Sequence, residues 1–348
     1  MKISNCVLLG LIILMSGCAQ KVRIKALNPA EVGAMASKKK VAITSFKNDH
    51  VGLSAKIETQ IAKYQLDKKR YFTVLSRKDL AKVMAEQKLQ SSELMDETTA
   101  TKIGKLVGAQ ALVNGEVTSS GDEGSYEEAR EKCLSYYKDG SGCARYKHYK
   151  VTCRTTEASV SGSINIVNME DGSLVYADTI SKNYNGDSCK DGVTNLGLLS
   201  IRTGDKKILS KGQALQMLSN KIANEFVYKL TPHYFYFNVT ILDEVEYEIN
   251  ESTNKSFTNA LALIKAGRMD KAEKILTKVN DGLNGKSYVV AYDLGVIKEA
   301  RAQFDSAKKF YAMADELTEA PIAEINSAVL RIDRLIAKRD QAKAQINR

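Results

Sequence analysis

Residues 96–117, "DETTATKIGKLVGAQALVNGEV", change their periodicity half-way along. The first part reads as a helix from about Thr98 to Val107, with Ile103 and Leu106 at its apolar positions. Gly108 stands where helices commonly stop, because a glycine adopts left-handed backbone angles without a Cβ penalty. After it the apolar run through Ala111, Leu112 and Val113 begins a strand. A helix that delivers straight into an apolar strand points to helices laid on a sheet.

The same alternation continues on both sides. Upstream, "VAITSF" (41–46) is a short strand, followed by a helix from about Leu53 to Leu66 with Ile57, Ile61 and Leu66 recurring at helical spacing. "YFTVLSR" (71–77) is a second strand, and Ser76 is placed to cap "RKDLAKVMAEQKL", whose Leu80, Val83, Met84 and Leu89 form one face. Downstream, a long polar insert precedes "ASVSGSINIVNMEDGSLVYADTISKNY" (158–184), two alternating strands about the turn Glu170-Asp171-Gly172. A second insert leads to the helix "QALQMLSNKIANEFVYKL" (213–230) and the strand "YFYFNVTIL" (234–242). The expected class is α+β or α/β. A helices-on-sheet domain spans 41–242, with inserts at about 119–155 and 185–210, and an all-α domain spans 243–348.

That all-α domain contains a repeat. "SFTNALALIKAGRMDKAEKILTKV" aligns with "AYDLGVIKEARAQFDSAKKFYAMADEL" at an offset of thirty-five residues, matching Ala260 with Gly295, Ala272 with Ala307 and Leu276 with Tyr311. Small residues there let two antiparallel helices approach, while Leu276 and Tyr311 fill the space between them. Leu294-Gly295, Ala307, Tyr311 and Ala314 resemble a tetratricopeptide repeat, with Pro321 near its expected end. A last helix, about Ala323 to Ile346, would cap the stack. A plain helical hairpin bundle is the alternative.

The N-terminus carries Lys2 and an apolar core, Val7–Met15, broken only by Gly10. That run is too short to cross a hydrocarbon core of about 30 Å, so residues 1–17 read as a cleaved signal peptide. Met15-Ser16-Gly17-Cys18 resembles a bacterial lipobox, in which the cysteine becomes the acylated first residue. Ala19 resembles the sorting position of lipoproteins sent to the outer membrane. Residues 18–40, with scattered charges, Pro29 and the run "SKKK" (37–40), read as a tether. The expected protein hangs from the outer membrane by acyl chains, palmitate among them, and faces the periplasm.

Export bears on the other cysteines. Cys6 leaves with the signal, and Cys133, Cys143, Cys153 and Cys189 are then candidates for two disulfides in an oxidising compartment, with three connectivities open. A metal site among them is not expected, since no C-x-x-C occurs and His148 is the only nearby histidine. Over the 348 residues the formal charge is +10, but "LDKKRY", "DKAEKILTK" and "AKRDQAKAQ" each mix lysines with acids. That is a solvated surface and not a nucleic-acid stripe.

The α/β segment resembles the curli secretion channel (CsgG) family of outer-membrane lipoproteins and the related LpoB-type activators of penicillin-binding proteins. The resembling stretches are "VAITSF", "YFTVLSRKDLAKVMAEQKLQ", "DETTATKIGKLVGAQALVNGEV" and "INIVNMEDGSLVYAD", with "NPAEV" upstream. They run from about Pro29 to Leu242, interrupted by the inserts, and Gly104–Ala109 followed by the apolar strand is the most specific part. The resemblance implies no catalytic residue and no cofactor. It implies protein partners in the envelope and a possible homo-oligomer, acting either as a scaffold or assembly factor or as a secretion channel. In the channel family the two inserts correspond to membrane-spanning hairpins. Here the first insert carries charges at both parities and three of the four cysteines, which suits a stapled, water-exposed loop.

Motifs of catalysis are missing from the sequence. It contains no G-x-x-x-x-G-K-[ST], G-x-S-x-G, H-E-x-x-H or G-x-G-x-x-G, and its three histidines, His50, His148 and His233, have no nucleophile beside them. "KDGSG" (138–142) has too few carboxylates for a calcium loop. The expectation is a protein that is not an enzyme.

Overall fold

The computed structural model describes residues 20–75, 77–87, 97–190, 193–196, 199–202 and 207–347. Cys18, Ser76 and Leu89 lie outside these residues. The chain divides into two compact units, one of residues 29–233 with 345–348, the other of the N-terminal segment through Asn28 with 234–344.

The first unit is built on a five-stranded sheet. Its members are β2 (Lys40–Ile43), β5 (Thr73–Val74), β6 (Ala111–Tyr136), β7 (Cys143–Asn168) and β8 (Leu174–Asp187), where β1 (Lys21–Asn28) precedes them in the other unit. Between β2 and β5 lie a small ladder of β3 (Gln65–Leu66) and β4 (Lys69–Arg70) and the helix α1 (Leu53–Lys63). The sheet order is β5-β2-β6-β7-β8. β2 runs parallel to both neighbours, and β6, β7 and β8 are antiparallel. Parallel neighbours need helical crossovers, here α1 on one side and α2 (Arg77–Glu86) with α3 (Glu97–Val107) on the other.

Both faces of the sheet's base are therefore covered, which is why β2 and the start of β6 are apolar at consecutive positions. Val41, Ile43, Val113 and Ile166 pack with Ile57 and Ile61 of α1 and with Leu218, Ile222 and Phe226 of α4 (Lys211–Leu230). Ala42, Leu112 and Val167 pack the other way, on Leu80, Met84, Ala100 and Ile103. Local signals set the helix ends. Asp49 accepts bonds from Leu53 N–H (2.7 Å) and Ser54 N–H (2.8 Å) at the start of α1, and Ser210 with Gln213 forms a capping box on α4. Gly104 within α3 has a tertiary reason: a Cβ there would sit 2.6 Å from Met169 Cβ, so only glycine lets α3 lie this close to the end of β7.

In the second unit, β1 pairs with β11 (His233–Thr240, mostly in this unit) as a two-stranded ribbon. Helical hairpins follow: α5 (Glu251–Lys265), α6 (Met269–Gly282), α7 (Tyr288–Ala300), α8 (Phe304–Glu316) and α9 (Ala323–Ile346). Two expectations change here. Residues 18–40 read as a tether, but 21–28 form β1 and 33–37 a short 3-10 helix. Val22, Ile24 and Ala26 alternate inward and join the helical core, a period-2 signal hidden between lysines. Likewise the strand at 234–242, expected in the α/β domain, belongs with the helices because β1 is its pairing partner.

Asp293 on α7 is fully buried in this core. Its Oδ1 accepts the Leu242 N–H at 3.0 Å, while Oδ2 has no hydrogen-bond partner among the described residues. Burial pushes its carboxyl well above the usual range, so the folded protein holds a proton there that the unfolded chain releases above about pH 4. Its contribution is therefore unfavourable at neutral pH, and stability is lost as pH rises from the ordinary carboxylate pKa toward the folded one. Asp293→Asn keeps the acceptor and removes the titration. Urea unfolding across pH should show the parent losing stability relative to Asp293→Asn between about pH 4 and neutrality. Parallel pH profiles would contradict this assignment.

Candidate functional site

Past the sheet's base, β6 and β7 continue together as a hairpin of two 26-residue strands. β8 accompanies β7 only as far as the pair Thr155–Asp187, so Ser125–Tyr136 and Cys143–Arg154 project as a two-stranded ribbon. At about 3.4 Å per residue that projection reaches on the order of 40 Å. The first insert is thus an extension of the sheet and not the loop expected from its polarity. Backbone pairing depends little on whether the side chains are apolar, and polar side chains meet along the ribbon: Lys150 Nζ forms an ion pair with Glu127 Oε2 at 2.8 Å, and His148 Nδ1 lies 3.1 Å from Glu131 Oε1.

An isolated two-stranded ribbon is marginal in water, and the cysteines stand where it would fray. Cys133–Cys143 closes its tip with Cα atoms 5.7 Å apart. Cys153–Cys189 joins β7 to the chain just after β8, with Cα atoms 5.5 Å apart. Continuing the pairing two residues beyond Thr155–Asp187 places Cys153 opposite Cys189, so this bridge extends the ladder rather than interrupting it. Around it, Tyr126 Oη donates to Asp187 Oδ2 at 2.9 Å, Asp187 Oδ1 accepts the Cys189 and Lys190 N–H groups, and Arg130 Nη2 lies 2.8 Å from Cys189 Sγ. Burial works against the Asp187 carboxylate, but the bonds from Lys190 N–H, Tyr126 and Cys189 N–H outweigh it and hold Asp187 below the usual carboxylate range. Glu128 joins Cys153 and Cys189 in a cluster of metal-ligand residue types, yet both sulfurs are spent in the disulfide. After the bridge, β9 (Val193–Leu196) and β10 (Leu199–Arg202) form a short second hairpin.

Side chains alternate across the ribbon. One face carries Glu127, Glu131, His148, Lys150 and Arg154, and the other Glu128, Arg130, Lys132 and Lys147. Among the described residues no helix is long and apolar enough to cross a membrane.

In the helical unit, Ala260, Ala272, Leu276, Leu294, Ala307, Tyr311 and Ala314 are all buried. A Cβ on Gly295 would meet Tyr311 Cε1 at 2.5 Å, so α7 lies directly on the Tyr311 ring. Sequence reasoning missed the polar group beside that contact. Glu299 is fully buried on α7 and accepts from Arg331 Nε and Nη2 of α9, both at 2.9 Å, and from Tyr311 Oη at 2.5 Å. An acid near the end of a helix rich in apolar residues was the available signal, but a partner 32 positions away leaves no trace in local spacing.

The family model for the curli production assembly/transport component CsgG matches residues 34–259. The chain belongs to the CsgG family. The CsgG match takes in the whole sheet, both hairpins and β11, and it ends within α5, before most of the helical repeat. CsgG proteins are outer-membrane-associated components of curli production and secretion, a transport family and not an enzyme family. No match was found among curated proteins.

Proposed function

We propose that the chain is a non-catalytic scaffold or assembly factor of an envelope complex, hung from the outer membrane by acyl chains on Cys18 and facing the periplasm. The charge pattern of the long hairpin carries this reading. A membrane-spanning ribbon needs one face of apolar side chains, and an Arg or Lys facing lipid at mid-depth costs roughly 2–4 kcal/mol. Arg154 and Lys150 stand on one face of this ribbon, Arg130, Lys132 and Lys147 on the other. Whichever face met lipid would bring cations with it. The helical unit, read as a tetratricopeptide-like stack, supplies a surface for protein partners.

The anchor is tested with Cys18→Ser behind a conventional cleavable signal. The unacylated protein is expected to leave the membrane fraction on a high-salt wash without detergent, whereas wild type stays until detergent is added. Retention of the variant through the salt wash would contradict a lipid-only anchor.

One observation favours a second reading, an oligomeric secretion channel. The strands of the long hairpin exceed the 9–11 residues a spanning strand needs, and a second, short hairpin, β9–β10, follows β8 in the chain. Detergent-extracted wild type in planar bilayers decides between the two. The scaffold gives no discrete conductance, and stepwise openings with ring-shaped particles would establish the channel.

A further inference from the structure

The β1–β11 ribbon has two unlike faces. Val22, Ile24 and Ala26 turn inward to the helices, and Lys21, Arg23 and Lys25 alternate outward with them. Tyrosines of β11 lie among these cations: Arg23 Cζ stands 4.3 Å from the Tyr236 ring centroid and Lys25 Nζ 3.6 Å from that of Tyr234. Tyr236 is half-exposed. Among the described residues none of the three cations forms a salt bridge, whereas Lys150, Lys229 and Arg339, for example, each pair with an acid. The outer face is thus three positive charges in a row with phenol rings between them.

We propose that this face rests on an anionic phospholipid surface. The inference depends on the acylated Cys18 reading for its geometry: Lys21 stands three positions after Cys18, a span of at most about 11 Å when fully extended. That is close to one Debye length at physiological salt, so the ribbon's charges are felt at the headgroups. Two physical terms favour contact. Each Lys or Arg near an anionic leaflet adds about a fivefold gain in partition, and tyrosine rings favour the headgroup level, where one end is apolar and the other wet. With the acyl chains of Cys18 supplying the anchorage, the face would add a salt-sensitive contact that orients the helical unit on the leaflet. It would also set which side of the helical unit looks away from the membrane.

The test uses the mature chain carrying Cys18→Ser, produced behind a conventional cleavable signal so that neither an acyl group nor the apolar run Val7–Met15 contributes, in co-sedimentation with vesicles. Phosphatidylcholine vesicles containing phosphatidylglycerol should bind it, in a salt-sensitive way, and phosphatidylcholine alone should not. Replacing Lys21, Arg23 and Lys25 together with Gln should weaken that binding about a hundredfold, and Arg23→Gln alone about fivefold. Equal binding by parent and variants, or no binding to the anionic vesicles, would overturn the proposal. Displacement of the bound protein by poly-glutamate at a concentration with equal total charge would also overturn it, pointing to an acidic polypeptide as the occupant. The anchor is read separately from the mass of wild-type Cys18 peptides: an absent acyl mass removes the anchor, and the vesicle titration still decides the ribbon.

Discussion

Glu299→Ala is expected to destabilise the protein by about 3–5 kcal/mol, the range for removing one member of a buried ion pair. The carboxylate is fully buried and holds three donors, two from the Arg331 guanidinium and one from the Tyr311 hydroxyl. Taking it away leaves a largely buried cation without a counter-charge and a buried hydroxyl without an acceptor. The hydroxyl cannot turn to water, because Tyr311 is pinned under Gly295, and the Arg331 side chain, 21% exposed, keeps only partial hydration. Glu299→Gln keeps the shape but turns an NH2 group against the guanidinium or the phenol, so it should cost less than alanine and more than zero. Replacing both partners, with Glu299→Leu and Arg331→Met, should recover much of the loss, since the desolvation of two charges disappears with them. Urea unfolding of wild type and these variants, with Glu299→Leu and Arg331→Met also made singly, completes the double-mutant cycle. A single Glu299→Ala loss under about 1 kcal/mol would show that the pair is solvated in solution.

Loss of the Cys153–Cys189 bridge should be nearly as large. The two residues are 36 positions apart, and the chain-entropy account puts the closure of such a loop at about 4 kcal/mol. Cys133–Cys143 spans only 10 positions and closes about 3 kcal/mol by the same account. Their positions separate them further. Cys153–Cys189 ties the root of the projecting ribbon to β8, while Cys133–Cys143 only seals its tip. Cys153→Ser with Cys189→Ser should therefore speed amide exchange throughout the ribbon and in the chain after β8. Cys133→Ser with Cys143→Ser should affect the tip alone. Hydrogen exchange with mass readout resolves the two patterns, and a Cys153/Cys189 variant that exchanges like wild type would refute this role.

Much of the α/β unit was legible because its signals are local. Gly108 ends α3 in the left-handed region, at φ +69°, and the turn at Gly172 does the same between β7 and β8. The apolar alternations of 158–168 and 174–184 and the capping residues needed nothing beyond neighbouring positions. The repeat residues Ala260, Ala272, Gly295 and Ala307 were legible too, since an internal copy of the chain displayed their spacing. The polar insert was read as a loop for the opposite reason. Its strand character comes from pairing with a partner strand, while its composition, charged on both faces, resembles that of an exposed coil.

What the sequence determined by itself was the class of elements, the family likeness, the helical repeat and the presence of four cysteines able to pair. Tertiary structure decided which cysteines meet, because only strand register brings Cys153 opposite Cys189. It also took β1 out of the presumed tether and joined it to β11, more than 200 positions away. Local patterns are written in adjacent residues, but register, ion pairs such as Glu299–Arg331 and the two-faced ribbon of Lys21, Arg23 and Lys25 arise between segments far apart in the chain. Their energies depend on burial and distance, and those exist only once the chain has folded.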